Sequence, residues 1–482
     1  MLGLLAIVMA SCTTMDMQDA PPAVLELSKL PSADYSSYLN RPPLLPDYTR
    51  VVLDNGAVLL LLEKPEVPLV GFEVVIRGGS TADPVGKAGT AYLLADLLSK
   101  GAGNFDAAQF AAVVEGLGGD ISAGAGQESL QARGSFLSRD AATGVSLLAD
   151  LLVRPKLDED ELIKLRDRTV QFIKAAKEGS PNQLLSTYAK AFVYGDHPYA
   201  HASFGSEQTL AQIGIDDVRD YYAEQVGADR MIISVTGDFD TDQMISLLRD
   251  AFGNWRPAAA SLPQYESAES GPGGRVLLID KPDATQTYFW LGNIGVSKYF
   301  PQRAGLALAN AKFGGSFGSM LNTALRVESG LTYGAGSSVS QPRMAGTVSI
   351  SSFTRTETTV AAIDLALETL ASLHSDGIDA DGLASIKAYL LGQFPLAFET
   401  APQLARQMAQ LEFYGLETDY INAYGKKLVQ TDLPQIAEVI DTVFPQPDEM
   451  VLVMIGNAAA IRSDIKKYGS VTEKKITDPT FN

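Results

Sequence analysis

The sequence is poor in cysteine, histidine and positive charge, and each shortage excludes a class of function. Its single cysteine, Cys12, excludes an internal disulfide framework, a cysteine-rich zinc site and an iron–sulfur cluster. A metal site that uses histidine must draw on His197, His201 and His374, because the chain has no others. The 38 basic residues face 57 acidic ones, and the resulting net charge of −19 argues against a nucleic-acid partner, which requires a lysine and arginine surplus.

Long apolar runs are also scarce, and the one candidate targeting signal lies at the start. The first ten residues are too few to span a bilayer but suit the hydrophobic region of a secretory signal. Ala10-Ser11-Cys12 follows, and small residues before a cysteine resemble a bacterial lipoprotein signal, with an ordinary leader as the alternative. Because no basic residue precedes Lys29, we expect the natural start to lie upstream.

This resemblance implies a signal over residues 1–12 and Cys12 as the lipidated residue. Asp16 does not directly follow the cysteine, which favours sorting to the outer membrane. We therefore expect a lipid-anchored protein that faces the periplasm of a Gram-negative bacterium.

Apolar material is plentiful, and the chain divides into two similar parts. With 46% hydrophobic residues over 482 positions, two or more folded domains are expected. Residues 13–47 are proline-rich and indicate a tether, whereas 256–274 lack an apolar period and indicate a linker. The remaining boundaries give a first repeat at 48–255, a second at 275–470 and a tail at 471–482.

The two repeats carry the same order of predicted elements. Each has early strands, a helical middle and a late buried strand, near 230–235 in the first repeat and 450–455 in the second. Runs of strands interrupted by helices predict an α+β fold, in which each repeat is an antiparallel-rich sheet packed with helices. Two such repeats joined by a linker could enclose a clam-like chamber, the kind of place where ligand sites lie.

Several local motifs occur along the chain in a fixed order. They are Leu53-Asp54-Asn55-Gly56, Arg77-Gly78-Gly79-Ser80, Gly195-Asp196-His197-Pro198-Tyr199, Thr236-Gly237-Asp238, Phe313-Gly314-Gly315 leading to Leu325-Arg326, and Gly330-Leu331-Thr332-Tyr333. In this order and at these spacings, the motifs resemble the insulinase/pitrilysin family of zinc metallopeptidases. The resemblance covers roughly residues 48–469.

The stretch that matches the family's zinc helix lacks the metal-binding residues. In that family the helix carries H-x-x-E-H, whose histidines bind zinc and whose glutamate is the general base. Tyr92 stands at the first histidine, Ala95 at the glutamate and Asp96 at the second histidine. The third ligand would fall near Phe172 and Ile173, where no carboxylate occurs. Because catalytic zinc needs three protein ligands, we expect no metal in this chain.

The histidines give little support to a different metal site. His197 and His201 have the spacing of a helical pair, but the intervening Pro198 favours a loop. His374 lies near a predicted helix C-terminus, where a cation suits the helix dipole. We interpret all three as structural residues.

The second repeat retains two residues that active members of the family use. Those members carry an arginine and a tyrosine, seven residues apart, that hydrogen-bond the substrate carbonyl oxygen. Arg326 and Tyr333 match both positions, and the resemblance implies that they are catalytic. A fixed cation and a phenol near a developing negative charge would lower the barrier electrostatically. The alternative is that Arg326 pairs locally and Tyr333 packs in a sheet.

These features favour the non-zinc subunit of a heterodimeric endopeptidase. Some bacterial members of the family have two subunits, one with the zinc motif and one with the Arg/Tyr pair, and this chain is similar to the second. The resemblance implies a zinc-motif partner, zinc only in that partner, and peptide substrates. Two alternatives remain: an inactive lipoprotein that binds peptides or scaffolds a complex, and an independent peptidase with an unorthodox metal site.

Overall fold

The structure, a computed structural model, describes residues 35–482. The predicted signal and the lipidation residue Cys12 therefore lie outside the described residues. The strands are β1 (Thr49–Val52), β2 (Val58–Glu63), β3 (Leu69–Arg77), β4 (Gly101–Ala102), β5 (Phe105–Asp106), β6 (Asp120–Ala125), β7 (Ser129–Leu137), β8 (Met231–Gly237), β9 (Arg275–Asp280), β10 (Gln286–Ile294), β11 (Ala335–Val339), β12 (Thr347–Arg355), β13 (Val451–Gly456) and β14 (Ser470–Lys475).

Helices connect and cover these strands, and none of those in residues 35–482 has both the length and the apolar character needed to cross a membrane. The helices are α1 (Ser36–Leu39), α2 (Thr90–Leu98), α3 (Ala107–Gly116), α4 (Ala141–Val153), α5 (Glu159–Gly179), α6 (Asn182–Tyr194), α7 (Glu207–Leu210), α8 (Ile215–Gln225), α9 (Thr241–Phe252), α10 (Arg303–Asn310), α11 (Met320–Asn322), α12 (Thr359–Asp376), α13 (Ala380–Gln393), α14 (Ala401–Tyr414), α15 (Asp419–Asn422), α16 (Tyr424–Gln430), α17 (Leu433–Val443) and α18 (Ala458–Ile461).

The sheet order confirms the predicted α+β fold and its internal repeat. The first six-stranded sheet has the order β1-β2-β8-β3-β7-β6, and the second, read in the matching direction, has β14-β9-β13-β10-β12-β11. In both sheets the late central strand, β8 or β13, runs parallel to one neighbour and antiparallel to the other. Five of the six positions are therefore equivalent.

The sixth position, at one edge, is filled differently in the two sheets. In the first sheet β1 comes from the start of the repeat and pairs antiparallel with β2 across the Asp54-Asn55-Gly56 turn. In the second sheet β14 comes from the end of the chain and runs parallel to β9. The predicted tail at 471–482 therefore includes an edge strand. Its polar composition concealed that strand, because an edge strand with one solvated face needs few apolar residues.

Each sheet is covered by a helix from the other repeat. Helix α14, from the second repeat, lies on β3 and β8 of the first sheet, and α6, from the first repeat, lies on β10 and β13. The side chains of β2 are apolar on both faces of the first sheet, so both faces are packed against other elements. Leu59 and Leu61 point into the core of their own repeat, whereas Leu60 and Leu62 pack in the cluster that contains Leu404 of α14.

The segments predicted as a tether and a tail also cross between the repeats. Leu45, within the predicted tether, is buried, and its backbone N–H and C=O both bond the Asn422 side chain, at 3.0 and 2.8 Å. At the other end, Phe481 packs edge-on against Tyr188 of α6, and Lys177 Nζ donates to the Asp478 carbonyl at 2.6 Å. Sequence composition identified these segments as irregular but could not show where they dock.

A cleft of about 530 Å³ lies between the repeats and is lined by residues of both. Polar groups from both repeats close it. The Glu128 carboxylate accepts the hydroxyls of Tyr199 and Tyr414 and, at 3.0 Å, the backbone N–H of Arg343. The predicted linker, which has neither helix nor strand, lines one side, where the Tyr265 hydroxyl donates to the Thr81 carbonyl at 2.8 Å.

Candidate functional site

The segment that carries Arg326 and Tyr333 has an unusual backbone. Helix α10 runs directly into a π-helical turn, Ala311–Gly315, and α11 runs into a second, Thr323–Glu328. Such π turns are rare and occur frequently at functional sites. Gly314 lets the first turn pack against β11, because a Cβ atom there would lie 2.3 Å from the Ser337 nitrogen. The second turn contains Arg326.

The backbone brings Arg326 and Tyr333 to neighbouring points. The carbonyl of buried Leu325 accepts the N–H groups of Leu331 at 3.0 Å and Thr332 at 3.2 Å. Arg326 directly follows Leu325, and Tyr333 directly follows Thr332. Both side chains therefore project from a loop that these hydrogen bonds close. Strand β12 fixes this loop, since a threonine hydroxyl of that strand, Thr354 Oγ1, donates to the Leu331 carbonyl at 2.7 Å.

Arg326 is half-buried, whereas Tyr333 is exposed to a degree that packing in a sheet does not allow. Tyr333 is 83% exposed and, within residues 35–482, makes no hydrogen bond through its hydroxyl. The Arg326 guanidinium lies 4.9 Å from the ring centre of Phe317 and has no carboxylate partner in that range. Within residues 35–482, Arg326 therefore has a local aromatic partner but no ion pair, and Tyr333 lies outside the strands.

Exposed apolar groups surround this pair. Phe317 is 72% exposed and Val327 is 66% exposed. Together with Tyr333 they are three of the four most exposed large apolar or aromatic side chains in the described chain. We call Phe317, Arg326, Val327 and Tyr333 the Arg/Tyr patch. Sequence reasoning missed Phe317 and Val327, although an aromatic residue inside the glycine-rich run 314–318 was a usable signal.

The corresponding helix of the first repeat has its former metal face filled. Ala95, at the position of the general base, is 1% exposed and packs in the core. The Asp96 carboxylate is bound by Arg168 of α5 at 2.7 Å. Tyr92 is half-buried, and burial together with the nearby Asp96 charge raises the pKa of its phenol. Ala95 is thus buried and Asp96 is paired with Arg168, so these positions do not form an open coordination site.

A buried carboxylate anchors the start of this helix. Asp83 accepts the backbone N–H groups of Gly89 and Ala91, both at 2.8 Å. Gly89 has a φ of +105°, which favours glycine, and its conformation turns the chain into α2. Burial raises the pKa of Asp83 to about 7 despite these hydrogen bonds. The scaffold of the zinc helix thus persists without its ligands.

The third ligand position is equally unsuited to a metal. Phe172 of α5 is exposed and packs edge-on against Phe204, with 6.1 Å between the ring centres, while Ile173 is buried. Throughout the described part of the chain, no group of three or more His, Cys, Asp or Glu side chains is placed to hold a metal ion. The residues at the family's zinc positions therefore do not fit the metal.

The histidines are engaged in local structure. His197 caps a short 3-10 turn, Pro198–Ala200, with Nδ1 accepting the Tyr199 N–H and Nε2 bonding the Glu266 carbonyl, both at 3.1 Å. His374, on α12, lies 3.3 Å from the Pro445 carbonyl through Nε2. These contacts match the structural interpretation of both residues.

One further sequence pattern has a nucleophile spacing but the wrong context. Gly314-Gly315-Ser316-Phe317-Gly318 reads G-x-S-x-G, a motif that positions a serine on a sharp strand-to-helix turn. Here the motif begins inside a π turn that follows a helix, not on a strand-to-helix turn, and Ser316 is half-buried. Since His197 and His374 bond other groups, neither supplies the general base of a serine hydrolase.

Comparison with known families gives two matches that together span most of the chain. Residues 58–205 match the family profile described as insulinase, peptidase family M16. Residues 212–390 match the profile described as the peptidase M16 inactive domain.

Curated relatives are similar along most of their lengths. An uncharacterized zinc protease of Mycobacterium leprae is 25% identical over 392 residues, which cover 81% of this chain and 86% of the relative. YmxG of Bacillus subtilis, also named an uncharacterized zinc protease, is 26% identical over 73% of this chain and 84% of its own. YmxG of Helicobacter pylori is 23% identical over 81% of this chain and 90% of its own, and it is named a non-peptidase homolog.

Solved structures share the fold. A peptidase M16 inactive domain from Pseudomonas fluorescens superposes with a TM-score of 0.80 at 24% identity, covering 89% of this chain and all of that one. A protease from Helicobacter pylori has a TM-score of 0.78 at 19% identity, with 85% of this chain and all of that one covered.

Proposed function

The chain belongs to the insulinase (M16) family of peptidases, and we propose that it is the non-zinc subunit of a two-subunit endopeptidase. In this role it supplies Arg326 and Tyr333 to an active site whose catalytic metal belongs to a partner of the same fold. Its substrates would be peptides or small unfolded proteins.

The Arg/Tyr patch is the single observation that carries this proposal. The Arg326 guanidinium and the Tyr333 phenol project from a closed loop and make no ion pair or hydrogen bond with residues 35–482. Exposed apolar side chains lie beside them. Exposed apolar patches rimmed by polar groups mark binding surfaces. The patch is therefore suited to a partner or substrate from outside the chain.

The chemistry of the patch follows from residue type. The Arg326 guanidinium and the Tyr333 hydroxyl are both hydrogen-bond donors, and no carboxylate of the described chain neutralises Arg326. Donors held in advance near a carbonyl oxygen stabilise the negative charge that develops there during peptide hydrolysis. Because Ala95 and Asp96 cannot supply a base or a metal, this chain contributes only the stabilising half of the site.

An inactive scaffold is the second candidate. The coarser assignment, a catalytically inactive protein with the M16 fold, is supported by the match to the M16 inactive domain and by the Helicobacter relative named a non-peptidase homolog. A scaffold or peptide-binding lipoprotein would use the same exposed patch without chemistry. Both candidates include lipid anchoring through Cys12 and a location at the periplasmic side of the outer membrane, as the leader suggests.

The test is to capture the tagged chain from the cells that naturally produce it and to assay chelator-sensitive cleavage of unfolded peptides. We expect activity in the captured complex, and a fall of about a hundredfold for the double variant Arg326→Ala/Tyr333→Phe, as for loss of transition-state donors. The matched control is Arg139→Ala/Tyr389→Phe, which changes an exposed arginine and tyrosine elsewhere.

The two candidates predict different outcomes. Full activity of an intact complex containing Arg326→Ala/Tyr333→Phe would contradict the catalytic proposal. A captured complex without chelator-sensitive activity would favour the scaffold.

A further inference from the structure

A pocket in the second repeat combines three cations with no carboxylate. It has a volume of about 440 Å³, and Lys298, Arg303 and Lys427 contribute to its lining. Among residues 35–482, no aspartate or glutamate lines it, although the chain has 57 acidic residues against 38 basic ones. An adjoining cavity of about 120 Å³ shares Lys298 and Arg303 and likewise has no acidic lining residue from the described chain.

Arg303 is held rigidly but is largely unpaired. Its guanidinium carbon lies 3.8 Å from the ring centre of Tyr420 and 4.1 Å from that of Tyr424. One N–H donates to the Tyr420 carbonyl at 2.7 Å. A guanidinium has five N–H donors, so most of its donors have no partner within the described chain. The two rings fix its plane, which prepares it for a planar or tetrahedral oxyanion.

Lys298 lies beside it without an ion pair. Its ammonium is 5.1 Å from the ring centre of Tyr414 and 5.8 Å from that of Tyr420, and it makes no hydrogen bond with residues 35–482. Burial, together with the charge of Arg303, lowers the pKa of Lys298, whereas Glu128 acts weakly in the opposite direction. Two neighbouring cations that are both partly buried are costly unless an anion joins them.

We propose that this pocket, which we call the cationic pocket, binds a small molecule through a carboxylate or phosphate group held by Lys298 and Arg303. Its volume lies within the range of small-ligand sites. The Gln430 side chain at its wall can bond the remainder of such a molecule, as can the Gln302 oxygen and the Gln435 amide nitrogen, whose other amide atoms already bond Glu438 and Asp432. The site is distinct from the Arg/Tyr patch, because no residue of that patch lines it.

Calorimetric titration of the purified chain with citrate and with inorganic phosphate tests the proposal and separates the two oxyanions. We expect saturable binding of at least one of them, weakened about tenfold or more by Lys298→Gln, since a charge-assisted hydrogen bond contributes that much. Lys427→Gln, at the rim, should weaken binding less. Lys426→Gln is the matched control, because it removes the adjacent charge from a residue that does not line the pocket.

A second readout separates binding from folding. The bound probe should raise the thermal midpoint of the wild type but not of Lys298→Gln, whose midpoint without the probe should equal or exceed that of the wild type. Equal binding by the wild type and Lys298→Gln would overturn the proposal. So would a thermal shift reproduced by sodium chloride at the same ionic strength.

Discussion

The two repeats share one sheet design but differ in the helical segment that follows the equivalent strand. In the first, β3 leads to α2, a regular helix anchored by Asp83, with Ala95 buried and Asp96 bound to Arg168. In the second, the equivalent β10 leads to α10 and two π turns, with Tyr333 exposed. The same scaffold therefore supports a regular helix with engaged side chains in one copy and an irregular loop with an exposed tyrosine in the other.

The comparison shows which backbone and side-chain features differ between a repeat without metal ligands and a repeat that keeps the Arg/Tyr pair. The first repeat keeps its backbone and fills the emptied positions with small or paired side chains. The second keeps irregular backbone and exposed apolar groups, features that stability alone does not favour and that functional sites often retain. The proposed chemistry is thus inferred from hydrogen-bond donors and exposed apolar side chains that have no partner within residues 35–482.

The largest predicted effect tests whether the repeats depend on each other. Leu404→Ala, on α14, should lower the free energy of unfolding by about 3 kcal/mol, because it leaves a cavity under a buried leucine. Hydrogen exchange should accelerate in β3 and β8 of the other repeat. Gln410→Ala, on the exposed side of the same helix, is the control. Protection lost only within α14 would show that the repeats are independent.

One pH-dependent contribution to stability should come from Asp83, which anchors α2 in the first repeat. The folded chain keeps a proton on Asp83 up to about pH 7, whereas the ordinary aspartate value is 3.8. Since the folded state binds more protons between those values, the stability due to Asp83 falls as the pH rises, by at most about 1.4 kcal/mol per unit. Chemical denaturation from pH 4 to 7 should show this downward contribution in the wild type.

Asp83→Asn is the variant for that comparison, because it keeps an acceptor oxygen without the titrating proton. The difference in unfolding free energy between wild type and variant should change across this pH range. Parallel curves would show that Asp83 titrates normally.

The smallest predicted effect concerns the filled metal face. Asp96→Asn removes an ion pair that is largely solvent-exposed, so we expect a loss below about 1 kcal/mol. Glu473→Gln, which breaks the exposed pair with Arg462 in the second repeat, should cost a similar amount. A loss of several kcal/mol at Asp96 alone would mean that the Asp96–Arg168 pair stabilises the fold far more than an exposed pair does.

Strong local patterns made much of the fold predictable. The late buried strands near 230–235 and 450–455 were expected and are present as β8 and β13. Each has a local cause, a continuous apolar run. The repeat itself followed from the order of these elements.

Features decided by distant contacts could not be read from the sequence. The reciprocal placement of α6 and α14 depends on which repeat's sheet each helix covers, and neither helix carries that information locally. The residue pattern over 319–326 is that of an ordinary helix, so it does not reveal the π turn that contains Arg326. The closure of the following loop at the Leu325 carbonyl is a contact that appears only in the folded chain.

The most direct measurement of the central claim is the zinc content and peptidase activity of the purified chain alone. Tyr92, Ala95 and Asp96 leave the first repeat without a metal site, so the chain should contain no stoichiometric zinc and should show no chelator-sensitive peptide cleavage. Zinc bound at one equivalent, with cleavage lost on chelation and restored by added zinc, would contradict the account.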